Sequence, residues 1–263
     1  MQQEIFSKSN SSNNKDALYK EVEGLKALAN HLKRSNITEL SIPMVKSVDD
    51  GLLRIQKIHR LTPSEYHMKR LAKGLAKMHR AKPAGTINCY GYKEDNYIGV
   101  SSQKNILTQD WGDFFYHHRL MHQILLIDNT EQKNTFMQQL ELCRSFIIEL
   151  LNSSCQRPSL VHGDLWSGNV LFSEGKVWLI DPAVYFADSE VDIAMSEMFG
   201  GFSAAFYQTY QQQLPLSAEY PIKKEVYNLY HYLNHYNMFG NSYLSSCTYL
   251  FERLIKQSQS SMS

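Results

Sequence analysis

The stretch LVHGDLWSGNVLFSEGKVWLID, residues 160–181, sets a histidine, two aspartates and an asparagine among short apolar runs. Two of those runs, Val170-Leu171-Phe172 and Val177-Trp178-Leu179-Ile180, are β-type and are joined by the turn-rich Ser-Glu-Gly-Lys. A hairpin is predicted, with Gly175 supplying a positive φ. A hairpin brings its two ends together. Asn169 then lies beside Asp181, each just past the last core-packed residue, and the loop carrying Asp164 precedes the first strand. Three oxygen-bearing side chains converge on one spot.

Phosphoryl transfer needs such a trio. The carboxylate of Asp181 and the amide oxygen of Asn169 are hard ligands suited to Mg²⁺, which keeps waters and completes its coordination on substrate phosphates. Asp164, not needed on the metal, is placed to accept the proton of an attacking hydroxyl. The spacing Asp164-x-x-x-x-Asn169 is that of a kinase catalytic loop, followed by a strand pair and a metal-binding aspartate. The same residue types are common turn formers, so the spacing alone reads equally as a turn. The H-G-D ahead, the hairpin between and the carboxylate at its far end favour catalysis. His162 reads as a structural group that bonds backbone near the loop.

Working outward, the chain divides by pattern. Up to about residue 60, IFSK and LLRI read as strands flanking KDALYKEVEGLKALANHLKR, in which Leu18, Val22, Leu25, Leu28 and Leu32 recur at helical spacing. Beyond it the text is mostly helical. SEYHMKRLAKGLAKMHR is followed by EQKNTFMQQLELCRSFIIELLN, a helix with Phe136, Leu140, Cys143, Ile147 and Leu150 on one face, and by EVYNLYHYLNHYNMFG, ending at Gly240. The expected domains are a small α+β lobe over 1–60 and a mostly helical lobe over 61–263 that carries the catalytic loop. SNSSNN (9–14) and SQSSMS (258–263) read as mobile tracts. Lys8 ends the run Ile5-Phe6-Ser7, and Glu21 lies on the helix that follows. The two read either as a strand lysine paired to a helix glutamate, aiming nucleotide phosphates, or as solvated charges in a region crowded with Lys15, Lys20, Glu23 and Lys26.

Composition narrows the partners. With 27 Lys+Arg against 26 Asp+Glu the formal charge is +1, so no strong field holds nucleic acid or an anionic membrane, and neither partner is expected. Cys89, Cys143, Cys155 and Cys247 form no C-x-x-C pair, which leaves neither a zinc nor a redox motif and suits free thiols in a reducing compartment. No apolar run reaches signal-peptide or membrane-span length, so a cytoplasmic protein is expected.

HGDLWSGN, then DPAVYFADSEVDIAMSEMFGGF and LYHYLNHYNMFGNSY, resemble the fructosamine kinase family, a branch of the protein-kinase-like fold that also holds the aminoglycoside phosphotransferases. DNYIG at 95–99 with Gln103 and Asn105, DWGDFF with Arg119-Leu120, and FSK…EVEGL extend the likeness from residue 6 to about residue 250. HGD indicates only the wider fold, whereas WSGN, DPAVYF, FGGF and LNHYNMFG are far more specific. The resemblance implies an α+β, two-lobed kinase that uses ATP and Mg²⁺ to phosphorylate a sugar hydroxyl of ketoamines (fructosamines or ribulosamines, small or protein-bound), a deglycation activity. It implies Asp164 as general base, Asn169 and Asp181 as magnesium ligands, and Lys8 with Glu21 as the phosphate-orienting pair. Backbone groups of Ile55, Gln56 and Lys57, after a strand over Leu52 to Arg54, match the family's adenine-binding hinge. There the sequence departs, because an acidic residue is usual at the middle position and an aromatic one at the next.

A second departure lies at the start. Family members place two strands and a glycine-rich turn before the lysine strand, whereas here the lysine is residue 8. The expectation is a small lobe without its phosphate-covering turn, from a frame that begins upstream or from a truncated, weak kinase. Trp166 offers an apolar face to a sugar ring or packs under the loop. His235, with Asn234, Tyr236 and Asn237, reads as the substrate side of the cleft, while Val226, Tyr230 and Leu233 make part of the same helix core. Asp192 reads as a structural anchor for the catalytic loop. Two rival readings stand beside this one. An aminoglycoside-, choline- or homoserine-type hydroxyl kinase shares HGD and the metal aspartate. A non-catalytic pseudokinase binding module is favoured by the absent glycine-rich turn and opposed by the intact Asp164, Asn169 and Asp181.

Overall fold

A computed structural model of the chain describes residues 4–12, 14–83, 88–155 and 157–261. The order is β1 (Ile5–Ser9), α1 (Ala17–Arg34), β2 (Leu40–Ser41), β3 (Val45–Val48), β4 (Leu52–Gln56), α2 (Glu65–Arg80), β5 (Asn96–Ile98) and β6 (Ser101–Gln103). After α3 (Trp111–Phe115) a π-helical turn, Tyr116–Met121, leads into α4 (His122–Leu125), and α5 (Thr130–Leu142), α6 (Arg144–Ser154) and β7 (Ser159–Val161) follow. The hairpin β8 (Val170–Ser173) and β9 (Lys176–Leu179), then β10 (Tyr185–Ala187), α7 (Glu190–Ser196), α8 (Ala204–Gln213), α9 (Tyr220–Phe239) and α10 (Leu244–Ser261) complete it.

β4 lies between β1 and β3, antiparallel to both, and Lys8 faces Leu53 across the pair. Strand alternation turns Leu53 and Ile55 toward α1, where they meet Leu18 and Val22 in a small core of their own. Farther along α1, Leu28 and Leu32 join the large core, so one helix of about 27 Å ties the two together. β2 also belongs with the large body, since it runs parallel to β9 and buries Leu40. The predicted hairpin pairs Val170 with Leu179 and Ser173 with Lys176, and Gly175 turns it at φ +65°, a conformation that side-chain-bearing residues rarely adopt.

Three expectations change. Lys8 sits inside β1, which runs on to Ser9. The single helix expected over 131–152 breaks at Cys143 (φ −113°, ψ 13°) into α5 and α6. The two pieces have different neighbours: Phe136 of α5 packs on Phe251 of α10, while α6 lies so close to α3 that a Cβ on Gly112 would meet the carbonyl of Ile148 at 2.3 Å. One straight helix cannot serve both contacts. At the chain end, residues 258–261 are helical instead of mobile, because Leu254 is buried and Ser258 Oγ bonds the Ile255 carbonyl at 2.9 Å. Asn13 and residues 262–263 of the two tracts lie outside the described residues. All four cysteines are free, and among the described residues no helix is long and apolar enough to cross a membrane.

Candidate active site

The loop carrying Asp164 is fixed from beneath. β7 delivers His162 and Gly163, whose backbone N–H groups donate to the two carboxylate oxygens of Asp192 on α7, at 2.8 and 2.9 Å. Asp192 is fully buried and also meets His79 Nε2 at 3.1 Å. Burial works against its charge, but His79 and His162 more than offset it and hold the carboxyl below its ordinary range. Gly163 adopts φ +82°, and a Cβ there would lie 2.1 Å from the Ala183 carbonyl, so no other residue fits. His162 stays within the scaffold. Burial lowers its basicity, Nδ1 accepts the Asp164 N–H at 3.3 Å, and Nε2 then donates to the Ile180 carbonyl at 2.9 Å.

The loop and the hairpin bring the predicted trio together. Asn169 Nδ2 donates to the Asp164 side chain and to its carbonyl, both at 2.9 Å. That fixes the amide so that Oδ1 is the atom left over. Ile180 N donates to the Asn169 carbonyl at 3.1 Å, closing the end of the hairpin beside Asp181. Asp181 itself takes φ +51°, an uncommon value for a residue with a side chain, of the kind that clusters at functional sites. Burial raises the Asp164 carboxyl to about 7, opposed by the Asn169 hydrogen bond and assisted by Asp181, which puts it in the range useful to a general base.

Lys8 and Glu21 prove to be a pair. Lys8 Nζ lies 2.8 Å from Glu21 and 2.9 Å from Asp181, bridging small core and hairpin. Two carboxylates share one ammonium. Burial, opposed by Lys8 and reinforced by Asp181, raises Glu21 to about 7. Asp181 is also pushed up by burial, but Lys8 wins there and holds it below its ordinary range. Lys8 is pulled down by burial and lifted above its ordinary value by the two acids.

These five residues line one cavity of about 360 Å³ together with Trp166. The Trp166 ring covers Gly168, where a Cβ would fall 2.2 Å from it, so it both packs on the loop and faces the cavity. The donor set suits Mg²⁺: a half-exposed carboxylate on Asp181 and the remaining amide oxygen of Asn169 are hard, few and next to open space. Among the described residues no cluster of three His, Cys, Asp or Glu side chains suits a metal, and Mg²⁺ held chiefly by phosphates needs none.

The hinge residues lie elsewhere. Ile55, Gln56 and Lys57 do not line this cavity. β4 runs through Gln56, and the amides of Gln56 and Lys57 are spent on the carbonyls of Met44 and Glu4, at 2.8 and 2.9 Å. His235 also stands outside the cavity: its Nδ1 bonds the His231 carbonyl at 2.7 Å and its ring packs on Phe199 and Tyr243. Met238, on the next turn of α9, lines the cavity instead. Sequence reasoning gave no role to Met238, nor to Asn96, Tyr97 and Gly99, which also line the cavity. DNYIG and LNHYNMFG were the available signals. Asn96 is held by the Gln103 and Asn105 side chains, at 2.8 and 3.0 Å, and donates to the Val184 carbonyl at 2.8 Å, tying this wall to the segment after Asp181.

A probable ketoamine kinase of Synechocystis is 39% identical over 188 residues, which are 71% of this chain and 62% of that protein. One from Enterococcus faecium is 35% identical over 234 residues, 88% of this chain and 80% of that protein. The chain thus spans 62% of the length of the Synechocystis relative and four fifths of the Enterococcus one. Among solved structures, a putative fructosamine-3-kinase from Haemophilus somnus superposes with a TM-score of 0.83 at 25% identity, covering 96% of this chain and 84% of that one. The model of the family described as fructosamine kinase matches residues 1–257, and the chain belongs to that family.

Proposed function

We propose that this chain is an ATP-dependent kinase that phosphorylates a sugar hydroxyl of ketoamines, with residues 1–60 as the nucleotide-binding lobe and 61–263 as the catalytic and substrate lobe. One observation carries the reading: Asp164, Asn169, Asp181, Lys8 and Glu21, drawn from three separated stretches of sequence, face a single cavity beside Trp166. Asp164 accepts the proton of the sugar hydroxyl as its oxygen bonds to the γ-phosphorus. The bond from that phosphorus to the bridging oxygen of ADP breaks, and ADP leaves with the electron pair. Lys8 moves from Asp181 to the nucleotide phosphates, while Glu21 keeps its ammonium aimed. Bound by Asp181 and Asn169, Mg²⁺ would neutralise phosphate charge. Adenine contact at Ile55–Lys57 rests on the family likeness, through groups other than the two amides already engaged. Trp166 offers its ring to the sugar. The free thiols suit a cytoplasmic setting.

The test is a panel of acceptors assayed for ADP formation: a ribulosamine, a fructosamine, kanamycin and choline. Ketoamine-dependent turnover is expected, with little from the others. An aminoglycoside or choline used with the higher kcat/KM would overturn the ketoamine reading and leave a hydroxyl kinase of another substrate class. Nucleotide binding without turnover of any acceptor would favour the pseudokinase.

A further inference from the structure

Beyond the cavity an aromatic track leads away from Trp166. Phe199 meets the Trp166 ring edge-on at 6.2 Å, His235 follows at 5.0 Å, and Tyr243 and Phe239 lie 5.0 and 5.7 Å from His235. This is not core. The aromatic residues inside the large lobe, such as Trp111 and Phe114, are 1% exposed, whereas the rings of the track are part-exposed and Phe239 is 55% exposed. His235 Nδ1 bonds the His231 carbonyl, and its ring packs among Phe199, Phe239 and Tyr243 as one member of the track. The track joins the cavity at Trp166, which lines the cavity and begins the track, and α9, which carries His235 and Phe239, also sends Met238 to the cavity wall. A run of part-exposed rings that starts in a reaction cavity and ends on an exposed one is a mark of a ligand surface.

We infer that this track receives the amine substituent of the substrate and selects ketoamines whose amine carries a large apolar or aromatic group. The inference rests on the ketoamine reading above. With a sugar hydroxyl at Asp164 and the ring at Trp166, the amine atoms beyond the sugar would extend past Trp166 to Phe199, which packs on it, and along the track toward Phe239. Nothing charged is needed there, so the track reads apolar area.

The experiment uses ribulosamines made from methylamine, butylamine and benzylamine, which share one sugar and differ only in the amine substituent. In wild type, kcat/KM should rise along the series, the benzyl adduct exceeding the methyl adduct by about tenfold, the scale of one or two well-placed apolar groups in a binding site. Phe239→Ala should reduce that ratio to below about threefold, and Phe239→Trp should keep it. A ratio is insensitive to how much of a variant is folded, so partial misfolding does not blur the result. Equal use of all three adducts by wild type, or a ratio unchanged in Phe239→Ala, overturns the inference while the ketoamine reading stands. Turnover of none of them sinks the ketoamine reading itself.

Discussion

Asp164 and Lys8 face each other across one cavity, and the chain holds them in unlike ways. Around Asp164 the backbone is tied to a fully buried carboxylate at His162 and Gly163, the neighbouring asparagine is bonded twice, and the following strands lie in the large core. Lys8 stands on an edge strand that, among the described residues, pairs only with β4. The core beneath that strand is Leu18, Val22, Leu53 and Ile55, and Ile5 and Phe6 are half-exposed. The floor is assembled by buried and part-buried polar bonds within the chain itself. The roof is attached to it by α1, by the Lys8 bridge, and by part-exposed pairs such as Tyr97–Asp16 at 2.7 Å and Lys20–Glu94 at 2.6 Å. On the proposed reading, the group that accepts the proton is tied to the scaffold by buried bonds, while Lys8, which would leave Asp181 for phosphate, is held by fewer and more exposed contacts. Floor substitutions should therefore strike turnover and folding, and roof substitutions should strike binding.

The largest expected effect separates chemistry from binding on the floor itself. Asp164→Asn keeps the side-chain volume and removes the base, so kcat should fall about a thousandfold, equivalent to about 4 kcal/mol, with Mg·ATP affinity within a few-fold of wild type. ADP release and nucleotide titration measure the two quantities. Undiminished turnover removes Asp164 from the base role, and an equal loss of binding makes the floor no more specialised than the roof.

Next comes the anchor. Asp192→Ala leaves two buried N–H groups without their acceptor and removes the partner of buried His79, which should cost about 3 kcal/mol of stability in urea unfolding. The sign of its pH dependence follows from the shift. Because the folded carboxyl is depressed, its contribution is complete above the unfolded pKa near 4 and is lost as pH falls through the lower folded value. The stability gap between wild type and mutant should narrow in acid and stay constant from about pH 6 to 8. A gap that widens in acid would show that Asp192 is not held as a buried anion.

Lys8→Met tests the roof. The bridge is part-exposed, with Lys8 at 32% and Asp181 at 40%, so its loss should cost about 1 kcal/mol of stability or less. ATP affinity and kcat/KM should nevertheless fall by roughly ten- to a hundredfold, because the cation that meets the phosphates is gone. A stability loss as large as that of Asp192→Ala would erase the distinction between roof and floor.

The two regions also differed in how well they could be read. The floor was legible because its signals are local: H-G-D, five residues to Asn169, a turn with a glycine, and Asp181 at the far end are all fixed by neighbours in sequence, and the hairpin register follows. The pairing of Lys8 with Glu21 was open from sequence, since pairing and solvation use the same residues, and only the placement of β1 beside β4, which packs on α1, decided it. That β4 runs on through Gln56, engaging the amides of Gln56 and Lys57, was not legible because a strand end and a hinge differ by one or two residues of pairing, which the partner strand sets. His235 and Met238 share a helix face, and which of them reaches the cavity depends on how α9 packs against the catalytic loop. The break at Cys143 was invisible for a like reason. Its apolar face is continuous in sequence, and two different packing partners divide it.

The smallest effect asks whether the part-exposed pairs between roof and floor matter at all. Tyr97 lines the cavity from the β5–β6 hairpin, and its hydroxyl donates to Asp16 at the start of α1, the helix that carries Glu21. Tyr97→Phe removes that oxygen alone. An accessible hydrogen bond to a carboxylate contributes about 1 kcal/mol or less, so thermal stability should barely change. If the bond helps to set the position of α1, the loss should appear as a two- to threefold rise in KM for ATP with kcat unchanged, about 0.5 kcal/mol of binding. Such a split would place the control of nucleotide affinity partly in the wall of the cleft. A fall in kcat with KM unchanged would mean that the hydroxyl acts on the floor, and the division between the two regions would have to be redrawn at this residue.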